Sequence, residues 1–300
     1  MIENDKKLSH IIIDVDKTVS KEVIQSFCTN IRSEDDKIWF TYLSYDNQNT
    51  SSPGRDLSDV IIEGTKKDGL FVITDSEETA AYACDNGIAC AGLGRSLQNG
   101  EYSPKLLYCI EDIEFMSLSR INRMWERYHG IPWTIACTER LVLREQTPGD
   151  LDGLYEIYSD KEIVRYTEDL FEDREEEAEY MRSYIENQYR FYEYGIWAIT
   201  LKDTGKLIGR AGISLREGFD IPEVGYVIGK KYQNKGYAKE AMKAIIEYTA
   251  EELEMCDLIA FTKEKNTASV KLLESLGFSR RGHVLIKGGY HSMYLLTKRQ

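Results

Sequence analysis

Glu223-Val-Gly-Tyr-Val-Ile-Gly-Lys-Lys-Tyr-Gln-Asn-Lys-Gly-Tyr-Ala-Lys-Glu-Ala-Met-Lys-Ala-Ile-Ile-Glu-Tyr-Thr249 reads as a strand, a turn and a helix in one stretch. Val224 to Ile228 is rich in β-branched and aromatic residues, which predicts a buried strand, and Gly229 closes it as a turn signal. From Ala238 onward, Ala238, Ala241, Met242, Ile245, Ile246 and Thr249 recur at three- and four-residue steps, so one face of a helix is buried. Between the two lies Gln233-Asn-Lys-Gly-Tyr-Ala238, where Gly236 permits a tight turn and Ala238 keeps the first helical turn slim. Amides in a helix's first turn have no partner inside the helix and carry partial positive charge. The turn therefore suits a phosphate or pyrophosphate, the alternative being a plain connection.

The full stretch resembles the acetyl-CoA signature of the GNAT family of N-acetyltransferases, Gln/Arg-x-x-Gly-x-Gly/Ala, through Gln233, Gly236 and Ala238. The likeness continues in Asn266-Thr-Ala-Ser-Val-Lys-Leu-Leu-Glu-Ser-Leu-Gly-Phe278, similar to the family's Asn-x-x-Ser helix and Gly-Phe turn. Thr138-Glu-Arg-Leu-Val-Leu-Arg144 is similar to the first strand of the ribosomal-protein-acetylating branch. The resemblance implies a GNAT-fold α+β mixed sheet over 138–300 and acetyl-CoA as cosubstrate. It places the pyrophosphate on Gln233, Asn234, Lys235, Gly236, Tyr237 and Ala238, and the pantetheine arm on the backbone of Val227 and Ile228 and on Asn266. The alternative role for Asn266 is a helix N-cap.

Acetyl transfer from a thioester needs a deprotonated amine, a stabilised oxyanion and a protonated leaving thiolate. Glu223, at the start of the strand that carries Val227 and Ile228, is the candidate base, directly or through a water; a strand-edge charge is the other reading. For the acid, many family members carry a tyrosine in the helix before Gly-Phe, where this chain has Leu272 and Leu273. Ser269 is the replacement that the Asn-x-x-Ser pattern suggests, with Tyr290 and Tyr294 as outsiders. His283 and His291 flank the C-terminal hairpin without a partner at motif spacing, so surface or packing roles fit them. No cysteine stands where a ping-pong intermediate would form, and direct transfer is expected.

The 300 residues, 42% hydrophobic, suffice for two cores. In the first half, His10-Ile-Ile-Ile-Asp14 predicts a buried strand, followed after Val15-Asp16-Lys17-Thr18-Val19 by a helix through Phe27. Two acids beside such a strand end resemble the first motif of the haloacid-dehalogenase-like superfamily, Asp-x-Asp-Gly-Thr-Leu/Val. Asp14, Asp16, Thr18 and Val19 match, and Lys17 replaces the glycine. In that superfamily the first Asp is the nucleophile, the second an acid/base, and both sit by magnesium.

Leu70 to Ser76, a helix over Glu77 to Asp85 and Gly87 to Gly92 look like its last motif, Gly-Asp-x-x-x-Asp, but Thr74 and Thr79 stand at the glycine and second acid positions and only Asp75 survives. Lys66 and Lys67 are both candidates for the superfamily's lysine. A strand over Lys105 to Ile110 and an amphipathic helix from about Met116 to His129 complete this half. The chain thus divides into a degenerate haloacid-dehalogenase-like domain at 1–130, with a small Rossmann-like parallel sheet, a linker at 131–137, and a GNAT domain at 138–300. The short apolar linker suggests domains packed on each other, with Trp125 and Trp133 as interface filler.

Six cysteines without Cys-x-x-Cys spacing, and no histidine beside them, argue for reduced thiols and no metal site. With no apolar run near the roughly 20 residues of a membrane span and a polar N-terminus, a cytoplasmic protein is expected. The net charge of -13 opposes nonspecific binding to nucleic acid or anionic membranes. The acidic run Glu168 to Glu179 is either a solvated helix start or one wall of an acceptor groove. A protein N-terminus, a polyamine, an aminoglycoside and an amino acid are all compatible acceptors, and a homodimer is compatible with the family. The competing readings are an added N-terminal phosphatase using Asp14 and magnesium, and a CoA-binding sensor without turnover.

Overall fold

The computed structural model of the chain describes residues 6–15, 19–43, 57–62, 66–94, 106–167 and 169–297. These fall into two compact units, 1–131 and 132–300.

The first unit is a parallel sheet of β1 (His10–Asp14), β2 (Trp39–Tyr42), β3 (Leu70–Thr74), β4 (Ala89–Leu93) and β5 (Tyr108–Ile110), in the order β2-β1-β3-β4-β5. Continuous apolar runs make β1, β3 and β4 almost wholly buried, as strands covered on both faces must be. Side-chain alternation divides them between two cores. Ile11, Ile13, Phe71 and Ile73 meet α1 (Lys21–Glu34), which buries Ile24, Phe27 and Ile31. Ile12, Leu70 and Val72 pack with Leu57 of α2 (Leu57–Ile62) and with Ala80 and Ala83 of α3 (Glu77–Asp85). Leu118, Ile121 and Trp125 of α4 (Leu118–Tyr128) return to the first core.

The second unit is an eight-stranded sheet formed by β6 (Thr134–Cys137), β7 (Leu141–Arg144), β8 (Ile196–Leu201), β9 (Leu207–Ser214), β10 (Glu223–Ile228), β11 (Asp257–Thr262), β12 (Ser279–Ile286) and β13 (Gly289–Thr297). Their order is β12-β13-β11-β10-β9-β8-β7-β6, antiparallel except for β10 with β11. On one face lie α5 (Leu151–Tyr158), α6 (Lys161–Val164) and α7 (Arg174–Tyr184), whose Leu154, Tyr158, Ile163 and Met181 share a core with Leu207 and Val227. A π-helical turn, Ile185–Tyr189, leads from α7 into α8 (Arg190–Tyr192). The larger core joins the sheet to α9 (Tyr237–Glu251) and α10 (Thr267–Ser275) through Trp197, Ala241, Ile245 and Leu273.

Thr134–Cys137, inside the stretch that the sequence marks as linker, is paired with β7 as a sheet strand. Each of the two tryptophans is a core residue of its own unit. Trp125 is 3% exposed in the first core and donates from Nε1 to Asp68 O at 3.1 Å, and Trp133 is 2% exposed in the core of the second unit.

Candidate active site

The turn before α9 starts the helix without a side-chain cap. Gly236 is the N-cap of α9 at φ +83, and it offers no side chain to cap the helix, so the amides of Tyr237 and Ala238 stay available to a ligand. Asn234 is also left-handed, at φ +61. Gln233 closes the turn onto the preceding strand, its Nε2 donating to Ile228 O at 3.0 Å. A Cβ at Gly236 would come within 3.3 Å of Arg140 Nη2, so only glycine leaves the cradle open. Arg140 is a residue that the local motif does not reveal. Its Nη1 donates to Lys235 O at 3.0 Å, and its guanidinium carbon lies 4.5 Å from the centre of the Tyr237 ring.

A second feature lies upstream. β10 keeps six register pairs with β9, from Glu223–Ser214 to Ile228–Gly209, but among the described residues it meets parallel β11 only at Glu223–Ile259. Beyond Glu223 the two strands diverge, and the β11-facing edge of β10, which includes the backbone of Ile228 and not that of β9-facing Val227, has no strand partner there among the described residues. A flexible amide-bearing chain laid in such a gap finds the hydrogen-bonding groups of an exposed sheet edge. The cradle at α9 and the strand edge that leads to it fit the pyrophosphate and pantetheine portions of a CoA thioester.

A cavity of about 510 Å³ opens along this gap, lined by Glu223, Tyr226, Val227, Asn266 and Ser269 together with residues of α5, α7 and β9. Glu223 lines it but is not alone, since Arg216 Nε donates to its Oε2 at 2.5 Å. The Ser269 hydroxyl lies 3.0 Å from that of Tyr226, a residue that the motifs do not single out. Burial pushes the Tyr226 phenol up, with the Ser269 contact working the other way, so the phenol keeps its proton at neutral pH. Asn266 is the N-cap of α10, its Oδ1 accepting from Ser269 N at 3.2 Å. Leu273 belongs to the main core, as does Tyr294, 3% exposed, while Tyr290 is 78% exposed, so neither tyrosine reaches this cavity. His291 lines the cavity with Nδ1 3.0 Å from Gly289 O, and His283 lies outside it beside Arg280 and Glu264. In the described part of the acidic run, Glu177 lines the cavity, buried at 3% exposure and accepting from Phe171 N at 3.0 Å. Glu172, Asp173, Glu175, Glu176 and Glu179 are exposed, as a solvated helix start requires.

In the first unit, Asp14 ends β1 where the strand order reverses, between β2 and β3, the usual place for a ligand in an open parallel sheet. Its carboxylate is 5% exposed, and one oxygen, Oδ2, accepts from both Thr74 Oγ1, at 3.2 Å, and Thr79 Oγ1. Asp16, Lys17 and Thr18 lie outside the described residues. Lys66 and Lys67 precede β3, and the register Asp14–Thr74 and His10–Leu70 puts them at the opposite end of the strands from Asp14, so neither stands beside its carboxylate. Among the described residues the Asp14 carboxylate is thus held by two threonine hydroxyls.

The family model for the acetyltransferase (GNAT) domain matches residues 140–279. The chain is 32% identical over 146 residues to the uncharacterized N-acetyltransferase YnaD of Bacillus subtilis strain 168, covering 48% of this chain and 82% of that protein. It is 31% identical over 146 residues to the uncharacterized N-acetyltransferase p20 of Bacillus licheniformis, with the same coverage of 48% and 82%. A solved acetyltransferase of the same family from Bacillus anthracis is similar at 24% identity and a TM-score of 0.47, over 54% of this chain and 96% of that one.

Proposed function

The chain belongs to the GNAT acetyltransferases and transfers acetyl from acetyl-CoA to an amine, and on that premise we propose how its own residues divide the work. The observation that carries the proposal is the uncapped start of α9, next to a strand edge opened by the divergence of β10 from β11. Acetyl-CoA supplies the activated acyl group. The amides from Gln233 to Ala238 hold its pyrophosphate, with Arg140 fixing the turn from behind, and the β11-facing edge of β10 at Ile228 aligns the pantetheine arm. Asn266 orients α10 at the mouth of the gap. Glu223 accepts the proton of the acceptor ammonium, held in place by Arg216. The Ser269–Tyr226 hydroxyl pair gives a proton to the leaving sulfur, Tyr226 being the donor that burial keeps protonated.

The test is a calorimetric titration with acetyl-CoA, with Gly236→Glu in parallel, followed by thiol release in a screen of amines. Saturable binding lost in the variant, with thiol release by at least one amine, is the expected result. Wild-type protein that does not bind acetyl-CoA would overturn the assignment of the cradle, and binding without turnover on any amine would favour a sensor. Within the family, the likeness of Thr138 to Arg144 makes the ribosomal-protein-acetylating branch part of the proposal. So are a haloacid-dehalogenase-like ancestry for the first unit, without phosphatase activity, a cytoplasmic location on cysteine usage and a homodimer on family likeness.

A further inference from the structure

The same cavity carries a statement about the acceptor that rests on the transferase reading. We propose that the acceptor is a zwitterion, an amine with a carboxylate close by, and that Arg210 binds the carboxylate while Glu223 serves the amine.

Arg210 projects from β9 into the cavity. Its Nε donates to the Tyr158 hydroxyl at 2.7 Å, and its guanidinium carbon lies 4.8 Å from the centre of that ring. Tyr158 is itself 5% exposed and fixed in the core beneath α5. This contact pins the guanidinium by one nitrogen and leaves the terminal fork for a ligand. Among the described residues no carboxylate forms an ion pair with Arg210, whereas the cavity's other guanidinium, Arg216, has Glu223 at 2.5 Å. In a chain of net charge -13, where carboxylates are plentiful, a partly buried guanidinium without one is poised for an anion brought from outside. A carboxylate matches the planar fork in two-point geometry. The cavity as a whole agrees, since Arg210, Arg216, Lys263 and Lys287 line it against the acids Glu177 and Glu223. A polyamine would meet an excess of like charge.

Sheet register sets the spacing. Arg210 pairs with Val227 and Ser214 with Glu223 in an unbroken antiparallel ladder, so side chains of Arg210, Val227, Gly225 and Glu223 rise from one face. Between the two charges, Gly225 pairs with Gly212, and a Cβ added at Gly225 would meet nothing within 4 Å. The floor between base and guanidinium is therefore open. Four residues along a strand separate the Arg210 and Glu223 levels by about 13 Å. Both side chains line the same cavity, with that open floor between their levels.

The experiment compares a panel of L-α-amino acids with their α-amides, which keep the amine and remove the charge, by calorimetric titration with and without CoA. Spermidine is the cationic control. At least one amino acid is expected to bind on the order of tenfold more tightly than its amide. Arg210→Met should erase that preference and Arg210→Lys restore part of it, with acetyl-CoA affinity unchanged and the melting temperature lowered in the Met variant because the buried Tyr158 hydroxyl loses its donor. Acids and amides that bind alike, a preference that survives in Arg210→Met, or spermidine binding more tightly than every acid would each overturn the proposal. Failure of the transferase reading shows separately, in the acetyl-CoA titration, because the acid-to-amide comparison is read by binding and needs no turnover.

Discussion

Arg140 and Glu240 are locked together at two points, Glu240 Oε2 accepting from Arg140 Nε at 2.7 Å and Oε1 from the Arg140 backbone amide at 2.9 Å, and Oε1 also accepts from Thr138 Oγ1 at 2.6 Å. The start of β7 is thereby tied to the first turn of α9, and the cradle at Gly236 is fixed by a residue nearly a hundred positions earlier. Glu240→Gln keeps the size of the side chain but removes its charge, and it should weaken acetyl-CoA binding by about tenfold through a displaced turn. Burial acts to raise the Glu240 carboxyl, but the hydrogen bonds from Thr138 and Arg140 outweigh it and the net shift is downward. A carboxyl held below its unfolded value stabilises the fold above that value, about 4.3, and the contribution is lost as pH falls through the folded value. Melting temperature measured from pH 6 downward should therefore drop less steeply in Glu240→Gln than in the wild type; parallel curves would refute the clamp.

The pair of hydroxyls at Tyr226 and Ser269, 3.0 Å apart, predicts a kinetic signature. Tyr226→Phe should lower kcat by about 100-fold, the usual range for loss of a general acid, with the KM for acetyl-CoA little changed. If the two hydroxyls act as one relay, Ser269→Ala will have a comparable effect and the double variant will be no worse than Tyr226→Phe. Effects that simply multiply, or a kcat within about threefold of wild type, would assign the proton to another group.

The β10–turn–α9 stretch is legible because every signal in it is local: apolar periodicity marks strand and helix, and one glycine marks the turn between them. The same holds for β1, β3 and α3 in the first unit, where continuous apolar runs and a serine N-cap at Ser76 announce themselves. What escapes is contact between distant positions. Ser269 is visible as part of a motif, but Tyr226 becomes its partner only because β10 and α10 meet, and Arg210 becomes a ligand candidate only because α5 brings Tyr158 over β9. β6 hides for another reason. Thr134–Cys137 is short and follows a proline, so its strand character comes from pairing with β7 rather than from its own pattern. Asp14 marks a subtler limit: its place at a strand end is readable, but the two threonine hydroxyls that tie its carboxylate are a property of the fold.

Asp150 predicts a purely structural loss. It is 6% exposed, forks with Arg144 through contacts of 2.7 and 2.8 Å, and accepts from Thr147 N at 2.7 Å in a capping box before α5. Asp150→Ala strands the half-buried guanidinium and uncaps the turn, at a cost of about 3 kcal/mol or more. Urea denaturation of the variant should show that loss with an unchanged slope, and a cost under about 1 kcal/mol would show that the pair is replaced by water.

The buried tyrosines of the second unit set its alkaline limit. Burial pushes the Tyr184 phenol up to about 12, against the opposing hydrogen bond from Ile196 N at 2.8 Å, and drives Tyr189 and Tyr158 upward as well. An unfolded tyrosine ionises near 10, so above that pH the unfolded chain gives up protons that the folded one keeps. Each such group contributes stability that is complete below about pH 10 and declines as pH rises through the folded value. For Tyr184 that window runs from about 10 to about 12. Denaturation followed across this window should show stability falling with pH, more shallowly in Tyr184→Phe, which cannot ionise. A variant whose alkaline slope equals that of the wild type would place the loss in other groups.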